Sequence, residues 1–474
     1  MGAAPRKSAT GLPEAADSAA AELPDPGQMG RGRLGQLVRY AEKVFGLTRR
    51  LSLVSDSRRK PATAASVVAT TAFYTGLLRI RSFNALEPKL AESPFLHLLG
   101  VSDVEESLCS VDTVSRALRA ADLESVRRVS VGIVQQAERN KVFREGWHGA
   151  LRYVALDGWE PVCSRLRHCD ECLVRRVRAK DGAGEVEAVD EYYHRYVVAM
   201  LIDPLFDLAL DIEPLLTKDM RPPRVPRAGK FKGETLKREE DEGELTAAAR
   251  LTERVKHTYG WLDVVVGDAL YANGPFLTTL AKLGLGGVIV ARKQGEQPLK
   301  AALRIWGDRP AQESFDDEKR GEHLELWDAP RLANLDSYAG EIRVVRGRVT
   351  SLKHPEAHPK TWCMLVTGQA TRLTSCKVLE VARGRWHIEN TGFHQWTTRW
   401  RFAHVFLHNA NGRLALYWLF FAAFNVLTLF LYRQVRSYGR SRGKYVTRTI
   451  SRLVDEMLDD LARLIAPVPH CDTS

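Results

Sequence analysis

The stretch Leu414 to Tyr432, LALYWLFFAAFNVLTLFLY, constrains this chain more than any other. It is apolar all round and long enough to cross a bilayer, so it must be buried either in lipid or in protein. It carries Asn425 and Thr428, is flanked on both sides by basic residues, and no second run like it occurs. A membrane protein anchored here is one reading. The favoured reading is a core helix that needs a large folded body around it. A chain of 474 residues can supply that body in two to four domains.

The net charge of +11 and pI near 9.3 favour a polyanionic partner, nucleic acid or an anionic membrane surface. The N-terminal segment lacks the apolar core of a signal peptide, and Arg6 stands where a myristoylation signal needs Ser or Thr. These features predict a cytoplasmic protein.

Residues 1–32, rich in Ala, Pro and Gly, read as a disordered tail. Amphipathic patterns over 33–147 predict a helical domain. Its Arg49, Arg50, Arg58, Arg59, Lys60, Arg79 and Arg81 are either solvated faces or DNA contacts. Strands are expected at 151–157, 192–202 and 206–212 as an antiparallel meander. A helix at 244–259, a strand at 262–266, a helix at 275–283 and a strand at 287–291 follow. That order implies an α/β fold, a mixed sheet flanked by helices, over 148–293. Residues 294–375 read as a β-rich insertion, 376–432 as helices completing the core, and 433–474 as a basic tail. The polar stretch 217–240 reads as a loop.

Three carboxylates stand out. Asp157 and Asp268 each close an apolar run beside a glycine, and Glu389 lies in RWHIENTGFH, a helical segment with Trp386, Phe393 and Trp400 seven apart, expected on one face. Arg385 sits one turn before Glu389, positioned for an ion pair or a phosphate contact. Converging carboxylates repel unless a cation neutralises them, and hard oxygen ligands suit Mg²⁺ or Mn²⁺. Two such ions about 3.5–4 Å apart would serve in-line phosphoryl transfer.

Cys163, His168, Cys169 and Cys172 crowd together, with His194 further on; Cys-x2-Cys beside His is a candidate structural zinc knuckle, with reduced loop thiols as the alternative. Tyr271 and Asn273 follow Asp268 and are either DNA contacts or core or turn residues. Trp386 or Trp396 could stack on an unpaired base, or be core.

VALDG around Asp157, VVVGDALYANGPF around Asp268 and RWHIENTGFH around Glu389 together resemble a DDE transposase of a bacterial insertion sequence. The likeness is to the branch with an RNase H-like core and a β-strand insertion before the third carboxylate. EYYHRYVVA and EGELTAAARL add to it, over roughly residues 80–432. The resemblance implies Asp157, Asp268 and Glu389 as the metal-binding triad. It implies terminal inverted repeats and target DNA as partners, a homodimer on paired ends, no membrane, and a bacterial, nucleoid-associated setting. The family's third signature is Tyr, two residues, Arg, three residues, Glu, six residues, Lys. Arg385 and Glu389 match; Ala382 and Trp396 depart. These departures leave room for a host-adopted or decayed nuclease-like DNA-binding protein.

Overall fold

The structure is a computed structural model. It describes residues 32–101, 107–145, 151–180, 186–223, 240–291, 297–332, 335, 338–434 and 446–463. The expected tail at 1–32 lies almost wholly outside the described residues, as does 224–239 of the expected loop.

The helix Ala410–Gln434 settles the question raised by its sequence: every residue of its apolar window is enclosed by protein. One side faces the N-terminal helices Ala65–Leu77, Val111–Arg119 and Leu123–Arg139; the other faces the sheet. Gly76 is where the closest helix meets it, since a Cβ there would fall 2.6 Å from the Phe420 ring. Asn425, fully buried, donates through Nδ2 to the Ala209 carbonyl (2.8 Å) and accepts from the Ala209 amide through Oδ1 (2.9 Å). The one side-chain amide within the apolar run 414–432 thus finds both its partners in one backbone unit.

The ten described strands form one sheet. They are β1 (Tyr153–Ser164), β2 (Leu173–Lys180), β3 (Val186–Ile202), β4 (Asp207–Pro214), β5 (Val264–Gly267), β6 (Gly286–Val290), β7 (Glu313–Asp317), β8 (Glu322–Leu332), β9 (Ile342–Ser351) and β10 (Lys360–Thr367). The order is β2-β3-β1-β5-β6-β10-β9-β8-β7. β4 shares the outer side of β3 with β2, pairing with 196–202 where β2 pairs with 186–193. Strands β4, β3 and β1 are antiparallel, and β5 and β6 run parallel to β1. This is the mixed RNase H-like sheet expected from the sequence. The four strands of the expected insertion continue it, because β10 pairs antiparallel with β6. A helix there, Gln297–Trp306, was not foreseen.

Two expectations need correction. The meander strands are longer than their apolar cores: β1 runs seven residues past Asp157, and the charged β2, LVRRVRAK, adds a strand between the first two that the sequence pattern does not predict. Part of the basic tail, Val446–Arg463, is an amphipathic helix that buries Leu453, Val454, Met457 and Leu461 and packs on Arg33–Phe45. Its Asp460 accepts from the Leu34 amide at 3.1 Å.

A buried ionic cluster fastens the N-terminal helices to the sheet. Asp211 on β4 accepts from Arg127 of Leu123–Arg139 (2.8 Å) and from Arg254 of Glu244–Thr258 (2.9 Å), and Trp418 Nε1 donates to its other oxygen (3.0 Å). Burial alone would push Asp211 up, but Arg254 and Arg127 outweigh it and hold the carboxyl below its usual range.

Candidate active site

Asp157 lies inside β1, not at its end, yet its placement follows the sequence logic. β1 pairs with the short β5 only from Tyr153 to Ala155, so Asp157 stands two residues past that pairing. Asp268 follows β5 directly and caps the turn Ala269–Tyr271, its Oδ1 accepting from the Leu270 amide at 2.9 Å. Both acids therefore emerge at the C-terminal end of the same parallel strand pair.

Glu389 arrives from the helical segment after Ser375–Gly384. Here the periodicity expectation fails. Ile388–Phe393 is a π-helical stretch, followed by a short α-helix, His394–Thr398. The wider turn resets the phase. Trp386 is 43% exposed, Phe393 is half-buried and stacks on Trp159, and Trp400 lies beyond the helix at 1% exposure. The three do not share one face. The π stretch packs near β1, β3 and β4, and Gly392 sits where a Cβ would meet Met200 Sδ at 3.2 Å.

Arg385 joins two of the acids. Its Nη1 donates to Asp157 Oδ2 (3.0 Å) and lies 2.7 Å from Glu389 Oε1. Asp157 Oδ1 accepts from the Gly158 amide at 2.8 Å. Burial pushes the Asp157 carboxyl up to about 7; Arg385 and the Gly158 amide pull down, while Glu389 and Asp268 push further up. Asp268 is thus within electrostatic reach of the pair. The three carboxylates are spread too widely for their oxygens all to lie within 4.8 Å of one another, and the guanidinium stands between Asp157 and Glu389. The donor set, carboxylate oxygens around one excess of negative charge, fits hard divalent cations.

Sequence reasoning missed the layer beneath. Glu244, at the first turn of Glu244–Thr258, accepts from Tyr271 Oη (3.0 Å) and from Arg195 Nη2 (2.6 Å). A Cβ on Gly158 would fall 2.3 Å from Glu244 Oε2, and one on Gly267 would fall 2.9 Å from the Tyr271 ring. The glycine beside each aspartate is therefore required by the Glu244–Tyr271 pair pressing on the backbone. The Gly neighbours were visible in sequence; their cause was not.

Tyr271, read as a DNA contact or a core residue, is fully buried, and burial with Glu244 nearby raises its hydroxyl well above the usual value. Asn273 uses its side chain to cap Gly274–Lys282, accepting from the Phe276 amide at 3.2 Å. Trp396 is fully buried among Phe402, Phe421 and Phe424 and cannot stack on a base. Ala382 is also fully buried, so both positions that depart from the transposase signature belong to the core. Trp386 remains available, with the Arg385 guanidinium 5.0 Å from its ring centre. In the N-terminal region Arg50 donates to the Phe45 carbonyl (2.7 Å), Arg58 pairs with Asp56 (2.6 Å), and Arg79 lies over Trp400 (5.2 Å). Those three arginines of the basic group serve the fold.

Of the five candidate zinc ligands, three converge. Cys169 and Cys172 Sγ are 3.6 Å apart, and each is 3.3 Å from His194 Nε2. Cys163 is exposed and pairs across the strands with Tyr193, so it points away from the face that carries the next residue, His194. His168 stacks on Tyr192.

A mixed sheet with β5 and β6 parallel to β1, and acids at the ends of β1's pairing with β5, defines the RNase H-like class of α/β proteins. Within that class, residues 235–426 match the family model described as transposase DDE domain, which supports a DDE-type transposase. The match includes Asp268 and Glu389 and stops short of Asp157. No curated protein matches the chain. The family implies DNA as the partner and divalent metal ions as the usual cofactor.

Proposed function

We propose that this transposase binds the terminal inverted repeats of its own element, cuts the DNA beside them and joins the freed ends to target DNA. Asp157, Asp268 and Glu389 would hold two Mg²⁺ or Mn²⁺ ions. The observation that carries this reading is the Arg385 guanidinium bonded to both Asp157 and Glu389, with Asp268 raising the Asp157 carboxyl from the neighbouring strand. When bound, the ions supply activation of the attacking water or 3′-hydroxyl and neutralise charge on the scissile phosphate.

The protein's own groups do the rest. Arg385 keeps the carboxylates apart until a cation or a phosphate competes for them. The Glu244–Tyr271–Arg195 layer fixes the backbone at Gly158 and so the direction of Asp157. Trp386, exposed beside Arg385, offers a face for an unpaired base. Excess positive charge binds the DNA backbone, and two copies would pair the element's ends.

The test uses a supercoiled plasmid carrying the DNA that flanks the gene. Asp157→Asn, Asp268→Asn and Glu389→Gln are each expected to lose Mg²⁺-dependent cutting by at least about 1000-fold, since one barrier increment of 4 kcal/mol is about that factor. Retention of the plasmid end fragment in a gel-shift assay should survive. Cleavage by the triple variant at the rate of the unaltered protein would overturn the assignment.

A further inference from the structure

We infer that Cys169, Cys172 and His194 bind one zinc ion, separate from the catalytic acids, and that the buried Arg413 is its electrostatic counterpart. The site sits where β2 stops pairing with β3 at Tyr193 and β4 begins at Tyr196, with His194 in the gap. His194 pairs with Val162 on β1, five residues beyond Asp157, or about 16 Å along an extended strand.

Geometry is the first support. A tetrahedral zinc ion with Zn–S of about 2.3 Å and Zn–N of about 2.0–2.1 Å needs S···S near ~3.8 Å and S···N near ~3.5 Å. The three separations, 3.6, 3.3 and 3.3 Å, form one face of that tetrahedron within a few tenths of an ångström. The sulfurs are 3.6 Å apart, and both cysteines are free. The loop is shaped for a knuckle: the Cys172 amide donates to the Cys169 carbonyl (3.1 Å), and the Cys169 amide to Cys172 Sγ (3.3 Å).

Charge is the second, independent support. Arg413, in the first turn of the long buried helix, is only 4% exposed and its Nη1 has no hydrogen-bond partner. The largest electrostatic influences on it come from Tyr196, Tyr417, Cys169 and Cys172, none of them a carboxylate. A buried guanidinium without an anion close by is costly. Zinc binding makes both cysteines thiolates, releasing two protons, and gives Arg413 anionic neighbours. The ion then ties the loop 165–172 and the β2–β3 arm to the helix at the centre of the fold. Its fourth position is left to water or to His408, whose Nδ1 is buried without a partner.

The full-length protein, purified without chelator, should carry one zinc per chain. Replacement by Co²⁺ should produce the visible ligand-field bands of a tetrahedral site and thiolate-to-cobalt charge transfer. Cys169→Ser with Cys172→Ser should abolish both signals, while Cys163→Ser and His168→Ala keep them. Arg413→Met should weaken zinc about 10–100-fold, as loss of an outer-sphere partner does, with stoichiometry unchanged. In the unaltered protein two thiols should resist a thiol reagent until chelator is added, a readout that needs no variant to fold. Absence of stoichiometric zinc or cobalt, or equal thiol reactivity with and without metal, would overturn the site. Unchanged affinity in Arg413→Met would overturn the role given to Arg413.

Discussion

Replacing Asn425 with Leu tests what encloses the apolar helix. Asn425 bonds both the amide and the carbonyl of Ala209. Among the described strands β4 pairs only with β3, so without Asn425 those two groups face the apolar helix. Each orphaned backbone group costs about 1–3 kcal/mol, or about 4 kcal/mol for two at mid-range. A buried Leu side chain returns about 2 kcal/mol of apolar burial. The balance is a loss of about 2 kcal/mol despite a more hydrophobic helix of the same side-chain shape. Urea unfolding followed by tryptophan fluorescence, with an unchanged slope and a lowered midpoint, is the measurement. In a lipid-spanning helix the same substitution would favour insertion, so the sign is opposite. A Leu variant as stable as the unaltered protein, or more stable, would refute the argument.

Gly158→Ala should weaken cutting and cost about 1–3 kcal/mol of stability, because its Cβ displaces Glu244 from 2.3 Å away; Glu244→Ala in the same chain should recover part of the stability if the clash is the cause. Asp211→Asn should cost about 3–5 kcal/mol at neutral pH by leaving Arg127 and Arg254 with no charged partner at that position. Because the folded carboxyl is held below its usual value, its contribution is present above about pH 4 and lost as pH falls through the folded pKa; the Asn variant should lack that part of the acid transition in a stability-against-pH series. Trp386→Ala should leave the unfolding free energy within about 0.5 kcal/mol and weaken binding of DNA with unpaired end bases by about 1–3 kcal/mol. Trp396→Ala should instead cost about 3–5 kcal/mol of stability.

What could be read from the chain divides along physical lines. Apolar runs that close on Asp beside Gly marked out Asp157 and Asp268, which the fold brings to the same end of β1's pairing with β5, although β1 itself continues past Asp157. The helix 410–434 was legible because nothing but a thick core can hide it. β2 was not, because an edge strand with Arg175, Arg176, Arg178 and Lys180 carries no apolar face to announce it. Between a core role and a DNA contact Tyr271 stayed open, because its burial depends on Glu244, far away in sequence. The shared face of Trp386, Phe393 and Trp400 failed because a π turn leaves no compositional mark beyond Gly392, whose need arises from Met200 across the packing.

That wide turn works like a gear tooth. One residue added between Glu389 and His394, where the π turn already holds its extra residue, would rotate everything downstream by about 100°. Trp396 would leave its aromatic nest, or Glu389 would swing away from Arg385. Glu389 and the greasy centre of the molecule are locked in phase, so a one-residue insertion here should be tolerated by neither.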